Sequence, residues 1–359
     1  MRVNRRHIIL ILFISVFLPK YGFIDPSIIL SFLSVPLLLK PTSKISKLGL
    51  LLIIIITLYI LVNTILIAEN IGTYHINQIK RDGKLILSSL IILSLSSAFT
   101  YTKDLWKNIS YILVVLLKIN LILMTIQLIF PTARIAIMEA FNFGYGLEFE
   151  SYHYSSIRPS GTFQSYDIAS IFLTTITLLR TEKILDYSKI LIFITILFIV
   201  ITARTGILLL LIYLTFKNLK NLTIALITFF LLFHLINKFE PTFLEPYFWL
   251  KDDILHEIKA LNTQLENISL FGNRLPPYNN NSISDVGYEH ILLTYGIIGL
   301  FILTFYYIHF IFRLTKKLRI IFFIVLFVGS FKTNLFTPTL FLFFTHFILF
   351  ATKKLKYVR

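Results

Sequence analysis

The sequence predicts an all-α, polytopic integral membrane protein with about twelve transmembrane helices, within a range of ten to twelve. Of its 359 residues, 56% are hydrophobic and only 14% are charged, and the mean hydropathy is +0.80. Soluble domains of ordinary composition are less apolar than this. Because a bilayer core about 30 Å thick needs roughly 20 apolar residues per helical crossing, this length allows ten to twelve spans and excludes a large soluble catalytic domain.

Twelve apolar runs define the predicted spans, which we assign to a single membrane domain covering residues 1–359. The runs are residues 7–19, 22–39, 48–68, 84–101, 109–130, 165–179, 190–203, 205–216, 222–237, 290–312, 320–331 and 335–351. Arg2, Arg5 and Arg6 precede the first run, as in a signal peptide, but no small-x-small cleavage site follows it. We therefore expect an uncleaved first span.

The distribution of charge predicts the topology. A formal net charge of +16 could indicate a nucleic-acid partner. However, the side of the membrane that holds both termini carries 21 of the 34 Lys and Arg residues and only 3 acidic residues, whereas the other side carries 12 basic and 15 acidic residues. The positive-inside rule then places both termini in the cytoplasm. The expected partner is therefore the lipid bilayer and not nucleic acid.

The loops are unequal in length, and the long ones fall on the outer face. The cytoplasmic connections are short and contain no P-loop, G-x-G-x-x-G or G-x-S-x-G motif. The absence of Cys excludes disulfides and thiolate nucleophiles. We expect the functional site in the two longer extracytoplasmic loops, residues 131–166 and 238–289.

Two arginines occupy positions at which the membrane makes a charge costly. Arg204 lies in the stretch T-A-R-T-G between two short apolar runs, and Arg158 begins the stretch R-P-S-G-T-F before the run 165–179. A charge at such a position must reach water, an acidic partner or an anionic ligand. The alternatives are that Arg204 snorkels at a helix end and that Arg158 belongs to an ordinary juxtamembrane loop.

Asp285, Glu289 and His290 form a third polar cluster, at the end of the loop 238–289. Asp285 and Glu289 share a face if the next helix begins early. Two carboxylates and an imidazole could supply a general base, so we predict a catalytic role for this cluster, with Asp167 as the next candidate. The alternative is an ordinary helix start, with Asp285 as its cap.

The sequence predicts neither a metal nor a cofactor. The eight His residues are scattered and include no i, i+4 pair, which makes a zinc site improbable. One more polar patch, formed by Lys118, Asn120 and Gln127, lies inside the fifth apolar run. We expect it to face the interior of the helix bundle, and no role for it follows from the sequence.

The three motifs together resemble the O-antigen polymerase and ligase superfamily, the Wzy-type and WaaL-type bacterial membrane proteins. They are R-P-S-G-T-F before a span, T-A-R-T-G between two short spans, and N-N-S-I-S-D-V-G-Y-E-H-I-L-L-T-Y-G-I-I-G-L at the end of the longest loop. Ligases of this superfamily usually have His-Asn at the start of the helix that leads to G-x-x-G-L. Asp285 stands at that position here, which favours a Wzy-type repeat-unit polymerase over a ligase.

This resemblance implies a helical bundle like that of the GT-C glycosyltransferases, in the bacterial cytoplasmic membrane. It implies transfer of an oligosaccharide from undecaprenyl diphosphate to the growing glycan on the outer face, with Arg158 and Arg204 holding the diphosphate. The expected enzyme is an inverting, metal-independent glycosyltransferase of O-antigen or capsule synthesis, for which a chain-length regulator is a further candidate partner. The alternatives are an O-antigen ligase and a lipid-linked oligosaccharide flippase or transporter, which would more often have discontinuous spans.

Overall fold

The computed structural model describes residues 47–66, 103–140, 158–163, 165–217, 269–272, 287–312 and 314–331, together with the isolated positions 82, 83, 86, 223, 226, 227, 231, 234 and 238. The predicted spans 7–19, 22–39, 84–101, 222–237 and 335–351 lie outside these ranges, apart from a few of the isolated positions. All regular secondary structure among the described residues is helical. The all-α class is therefore confirmed for this part of the chain.

Seven of the predicted spans coincide with helices in the described ranges. The α-helices are α1 (Lys47–Leu66), α2 (Lys103–Ile129), α3 (Pro131–Ala140), α4 (Tyr166–Thr181), α5 (Lys189–Thr202), α6 (Arg204–Lys217), α7 (Gly287–Ile311) and α8 (Lys316–Phe323). Helix α8 continues into a π-helical turn at Ile324–Val328 and a 3-10 turn at Gly329–Phe331. Helix α3 has no counterpart among the predicted spans, since it lies in the predicted external loop 131–166.

Helix α4 lies at the centre of the described bundle, and every side chain from Ala169 to Leu179 is buried. It packs mainly against α5 and α6, and it also contacts α2 and α8. Its Ser and Thr hydroxyls find backbone partners within the protein: Thr175 Oγ1, for example, donates to the Ile171 carbonyl one turn earlier, at 2.7 Å. A buried helix can carry these residues because each Ser and Thr hydroxyl has a backbone acceptor.

Side-chain caps define the N-terminal ends of α4 and α5. Ser165 caps α4 by accepting a hydrogen bond from the Ile168 N–H at 3.2 Å. Asp167 lies in the first turn of α4 and Arg180 in its last turn, so both complement the helix dipole. Ser188 caps α5 in the same way as Ser165 caps α4. These local signals explain why α4 and α5 begin and end close to the ends of the predicted runs 165–179 and 190–203.

Two helices in the described part of the chain are long and apolar enough to cross a membrane, Ser110–Ile129 and Ile291–His309. The helical stretches Ile54–Asn63 and Lys189–Thr202 are also apolar but shorter. Large apolar side chains such as Phe301 face outward on these elements, whereas the amide side chains of Asn63, Asn120 and Gln127 are buried. Contiguous apolar surface of this kind is rare on soluble proteins and suits contact with lipid. The number of spans stays a prediction.

Helix α7 is interrupted at Gly296, whose φ of 69° and ψ of −173° are not helical. The backbone of residues 269–272 covers the interruption, and the Ile298 N–H donates to the Leu270 carbonyl at 3.1 Å. A Cβ atom on Gly272 would lie 2.5 Å from the Gly296 nitrogen. Because both glycines have positive φ and touch each other, side chains are excluded at both positions. The second half of α7 therefore begins as a new helix.

Candidate functional site

The turn at residues 158–163 is held against α2 by two buried amide side chains, the first of which is Gln127. Its Oε1 accepts hydrogen bonds from the backbone N–H groups of Ser160, at 3.0 Å, and of Gly161, at 2.8 Å. Gln127 and Ser160 are completely buried. Buried backbone N–H groups need a partner when water cannot reach them. The Gln127 amide supplies that partner.

Asn120, two helical turns earlier on α2, is the second amide. Its Oδ1 accepts hydrogen bonds from both the N–H and the hydroxyl of Thr162, each at 2.9 Å. Gly161 has a φ of 61°, and a Cβ atom there would lie 2.5 Å from this oxygen. The expectation that this polar patch faces the interior is therefore confirmed for Asn120 and Gln127 and wrong for Lys118, which is exposed. Asn120 and Gln127 hold the R-P-S-G-T-F turn against α2.

Arg158 begins this turn and is half-buried. Its guanidinium carbon lies 4.6 Å from the centre of the Tyr166 ring, in a cation–π arrangement. Tyr166 is the first residue of α4, and it packs against Met138 of α3 and Ala203 between α5 and α6. The position of Arg158 therefore depends on contacts from several helices.

Arg204 is the first residue of α6, directly after Ala203, the single extended residue that separates α5 from α6. The Ser170 hydroxyl donates to the Ala203 carbonyl at 3.1 Å. The Thr205 hydroxyl donates to the Asp167 carboxylate. Since Asp167 and Ser170 both belong to the first turns of α4, these bonds dock the Arg204 turn on the N-terminal end of α4.

The two predicted arginines are thus brought to the same end of α4. The Arg158 guanidinium makes a cation–π contact with the Tyr166 ring, and Tyr166 packs against Ala203, the neighbour of Arg204. Both arginine side chains are half-buried, so each retains some exposed surface. Guanidinium groups bind phosphate oxygens in a bidentate manner. The N-terminal ends of α4 and α6 add partial positive charge at the same place.

Arg134 lies on α3, the helix whose Met138 packs against Tyr166 and Ala203, and sequence reasoning missed it because residues 131–166 were expected to form a loop. Arg134 and Met138 are the buried residues of α3, and only 7% of the surface of Arg134 is exposed. Pro131 at the first position of α3 is a local signal of a helix start that could have indicated this element. Met138 joins α3 to Tyr166 and Ala203.

The predicted catalytic cluster is described only in part. Asp285 lies outside the described residues, and the backbone of Glu289 and His290 forms the first turn of α7, while their side chains are not among those described. The start of α7 is anchored by the Tyr288 hydroxyl, which donates to the Phe327 carbonyl at 2.7 Å. The catalytic role of Asp285, Glu289 and His290 therefore stays a prediction. The next candidate, Asp167, accepts the hydroxyl of Thr205, the residue after Arg204.

A buried ion-pair cluster forms at the opposite end of α4, around Glu182. Its carboxylate accepts hydrogen bonds from Lys217 at the end of α6 and from Tyr213, and it pairs with Lys317 of α8 at 2.9 Å. The side chain of Glu182 is only 5% exposed. Burial alone would raise the pKa of this carboxyl, but the hydrogen bonds from Lys217, Tyr213 and Lys317 lower it to about 2.

The Glu182 cluster joins three loops that the sequence places in the cytoplasm, namely 180–189, 217–221 and 313–319. Helix α4 has 16 residues, so its two ends are about 24 Å apart at 1.5 Å per residue. Arg158 and Arg204 therefore lie at the end of the bundle opposite to these loops. The side of the membrane on which either end lies stays a prediction.

Within the described ranges, no group of three His, Cys, Asp or Glu side chains is placed to hold a metal ion. The groups that could bind a ligand at the N-terminal end of α4 are therefore the guanidinium groups, the hydroxyls and the Asp167 carboxylate. Comparison with family models, curated proteins and solved structures finds no match to this chain.

Proposed function

We propose that the protein is a glycosyltransferase of the Wzy type, which polymerises oligosaccharide repeat units carried on undecaprenyl diphosphate at the outer face of the cytoplasmic membrane. The observation that supports this proposal is that Arg158 and Arg204 both lie at the N-terminal end of α4. The ligand that suits such a place is an anion anchored at the membrane surface. A lipid-linked diphosphate is such an anion.

The proposed chemistry needs little beyond charge and one base. The diphosphate is already an activated leaving group, so Arg158 and Arg204 stabilise the charge that develops as the bond from the anomeric carbon to the phosphate oxygen breaks. A hydroxyl of the acceptor glycan attacks that carbon, and its proton passes to the base that we place among Asp285, Glu289 and His290. One displacement inverts the configuration at the anomeric carbon. The arginines supply the positive charge, so the step requires no metal.

The proposed topology has twelve spans, cytoplasmic termini, and a site formed by the loops 131–166 and 238–289. Two findings support this sidedness. The loops joined by Glu182 are the basic, short ones, and the arginines lie at the other end of α4. The R-P-S-G-T-F turn is packed against α2 and is not a free loop, as expected of a turn that must stay in place beside the membrane.

The test uses purified protein and a synthetic undecaprenyl-diphosphate repeat unit. Arg158→Ala and Arg204→Ala should each abolish polymer while the protein still inserts. The reason is that a lost arginine leaves phosphate charge unpaired, which costs on the order of 2–5 kcal/mol of binding free energy. Arg204→Lys should rescue poorly, because an ammonium group lacks the planar fork. Arg180→Ala is the matched control, since Arg180 lies at the opposite end of α4 and pairs with the exposed Asp186. Normal polymer from Arg204→Ala would refute the proposal.

A second candidate function, transport of a lipid-linked oligosaccharide, is favoured by the interruption of α7 at Gly296, since discontinuous helices are common in transporters. In this protein, however, the N–H groups of Ile297 and Ile298 after the break donate to backbone carbonyls of residues 269–272. A deletion strain separates the functions. Loss of a polymerase leaves a single repeat unit on the carrier glycan, loss of a ligase leaves no glycan attached, and loss of a flippase accumulates substrate inside the cell.

A further inference from the structure

We propose that Lys217 and Lys317 form a binding site for the phosphate headgroup of an anionic phospholipid, at the end of the bundle opposite to Arg158 and Arg204. The inference goes beyond the proposed function and does not rest on it. It rests on the Glu182 cluster, on the charge around that cluster and on the apolar side chains beside it.

The two lysines come from distant segments and are brought together by one carboxylate. Lys217, the last residue of α6, donates to Glu182 Oε1, and the Nζ atom of Lys317, in the first turn of α8, lies 2.9 Å from Glu182 Oε2. The Tyr213 hydroxyl also donates to Oε1. Because both oxygens belong to the same buried carboxylate, the two ammonium groups are held next to each other before any ligand binds.

Both lysine side chains keep surface that a ligand can reach. The side chain of Lys217 is 35% exposed and that of Lys317 is 65% exposed. Lys217 Nζ also lies 5.7 Å from the centre of the Tyr213 ring, a cation–π contact that leaves its charge in place. An ammonium group has three N–H donors, so a hydrogen bond to Glu182 leaves each lysine with donors for a second acceptor.

The charge at this end of the bundle favours an anion. Two ammonium groups on one carboxylate leave the cluster with a net positive charge. The loops 180–189, 217–221 and 313–319 contain nine basic and two acidic residues, and the second acidic residue, Asp186, is paired with Arg180 at 3.1 Å. A phosphodiester carries one negative charge and two free oxygens. It therefore offers one oxygen to each lysine, which binds phosphate as a point charge.

Exposed apolar side chains beside the lysines indicate that the anion is a lipid headgroup. Phe216, next to Lys217 in the chain, is exposed, and so is Phe312. Phe312 is connected to α8, because Arg319 Nη2 donates to its carbonyl at 2.9 Å. Acyl chains can cover such apolar surface, whereas a soluble phosphate cannot. Basic clusters between membrane helices on the cytoplasmic side bind anionic headgroups, and the sequence predicts that side for these loops.

The experiment titrates the purified full chain, in a nonionic detergent, with anionic phosphatidylglycerol and with zwitterionic phosphatidylcholine, and measures bound lipid by native mass spectrometry. The wild-type protein should prefer phosphatidylglycerol. Lys317→Gln leaves Glu182 paired with Lys217 and should weaken phosphatidylglycerol binding by about fivefold, equivalent to about 1 kcal/mol for one lysine, with phosphatidylcholine binding unchanged. Lys189→Gln is the matched control. It removes the same charge from an exposed position outside the Glu182 cluster and should change neither affinity.

Equal binding of the two lipids by the wild-type protein would overturn the proposal. Equal weakening by Lys317→Gln and Lys189→Gln would also overturn it, because binding would then depend on overall charge. Glycerol phosphate separates a lipid from a free phosphate: displacement of the lipid at equal concentration would overturn the lipid assignment. If Lys317→Gln does not fold, photo-cross-linking of the wild-type protein with a photoreactive phosphatidylglycerol decides. Labelling should include residues 213–217 or 314–319, and labelling that spares both segments overturns the proposal.

Discussion

Replacing Gln127 with Leu removes the acceptor that holds the R-P-S-G-T-F turn while filling a similar volume. In the structure, the Gln127 carbonyl oxygen accepts the buried N–H groups of Ser160 and Gly161. Leaving a buried donor without a partner costs about 1–3 kcal/mol. Loss of the acceptor for both donors should therefore lower the stability of the turn by about 2–6 kcal/mol, unless the turn moves so that water reaches the two N–H groups. Since Arg158 begins this turn, we expect polymer synthesis to fall with it, by about tenfold to a hundredfold.

The assay compares the purified Gln127→Leu variant with wild type in two measurements. The first is denaturation in detergent followed by tryptophan fluorescence, and the second is the rate of polymer formation at saturating and at low donor concentration. Thr125→Val is the matched control, because Thr125 is exposed on the same helix and its hydroxyl donates to the Leu121 carbonyl of that helix. This control should stay within about 0.5 kcal/mol of wild type. A Gln127→Leu variant as stable and as active as the control would refute the reasoning.

Three further predictions concern other parts of the bundle. The pKa of Glu182 lies at about 2 in the folded protein against 4.5 ordinarily, which corresponds to a stabilising effect on the order of 3 kcal/mol. This stabilisation should be present above about pH 4.5 and should be lost as the pH falls toward 2. Glu182→Gln should remove this pH dependence of the unfolding free energy. Gly206→Ala would drive a methyl group into Ser170 Oγ between α4 and α6, and should lower the unfolding free energy by about 1–3 kcal/mol, whereas Leu208→Ala on the exposed face of α6 should cost less. A single Cys at Lys316 should be protected from an impermeant thiol reagent added to intact cells, and labelling from outside would overturn the topology.

The seven described helices that coincide with predicted spans could be predicted from the sequence, because each follows from local composition. The run 48–68 corresponds to α1 at Lys47–Leu66, and the run 290–312 corresponds to α7 at Gly287–Ile311. An apolar run long enough to cross a bilayer has one backbone solution, since every N–H and carbonyl must be paired within the segment. The interruption at Gly296 could not be predicted, because it depends on the distant segment 269–272 lying against it.

The sequence predicted site residues only where a charged residue lies next to an apolar run. Arg158 and Arg204 attract notice because a charge beside a membrane span needs an explanation. Arg134 escapes notice because the short helix that carries it has a mixed composition, with Pro131 as its one local sign of a helix start. The amides Asn120 and Gln127 were visible as polar residues inside a span, but their partners lie more than thirty positions away in the chain.

The amino-acid sequence therefore specifies the helical class, the apolar surfaces and the asymmetry of basic charge, because each of these depends on neighbouring residues and on the solvent around them. Only the tertiary structure shows that Arg158 and Arg204, from two segments, share one end of α4, because that depends on side-chain packing between segments far apart in the chain. Tyr166 is the clearest case. Nothing in its local sequence indicates that its ring carries Arg158 while packing against Met138 and Ala203. Packing of this kind decides which charges become neighbours, and hence which ligand the protein can hold.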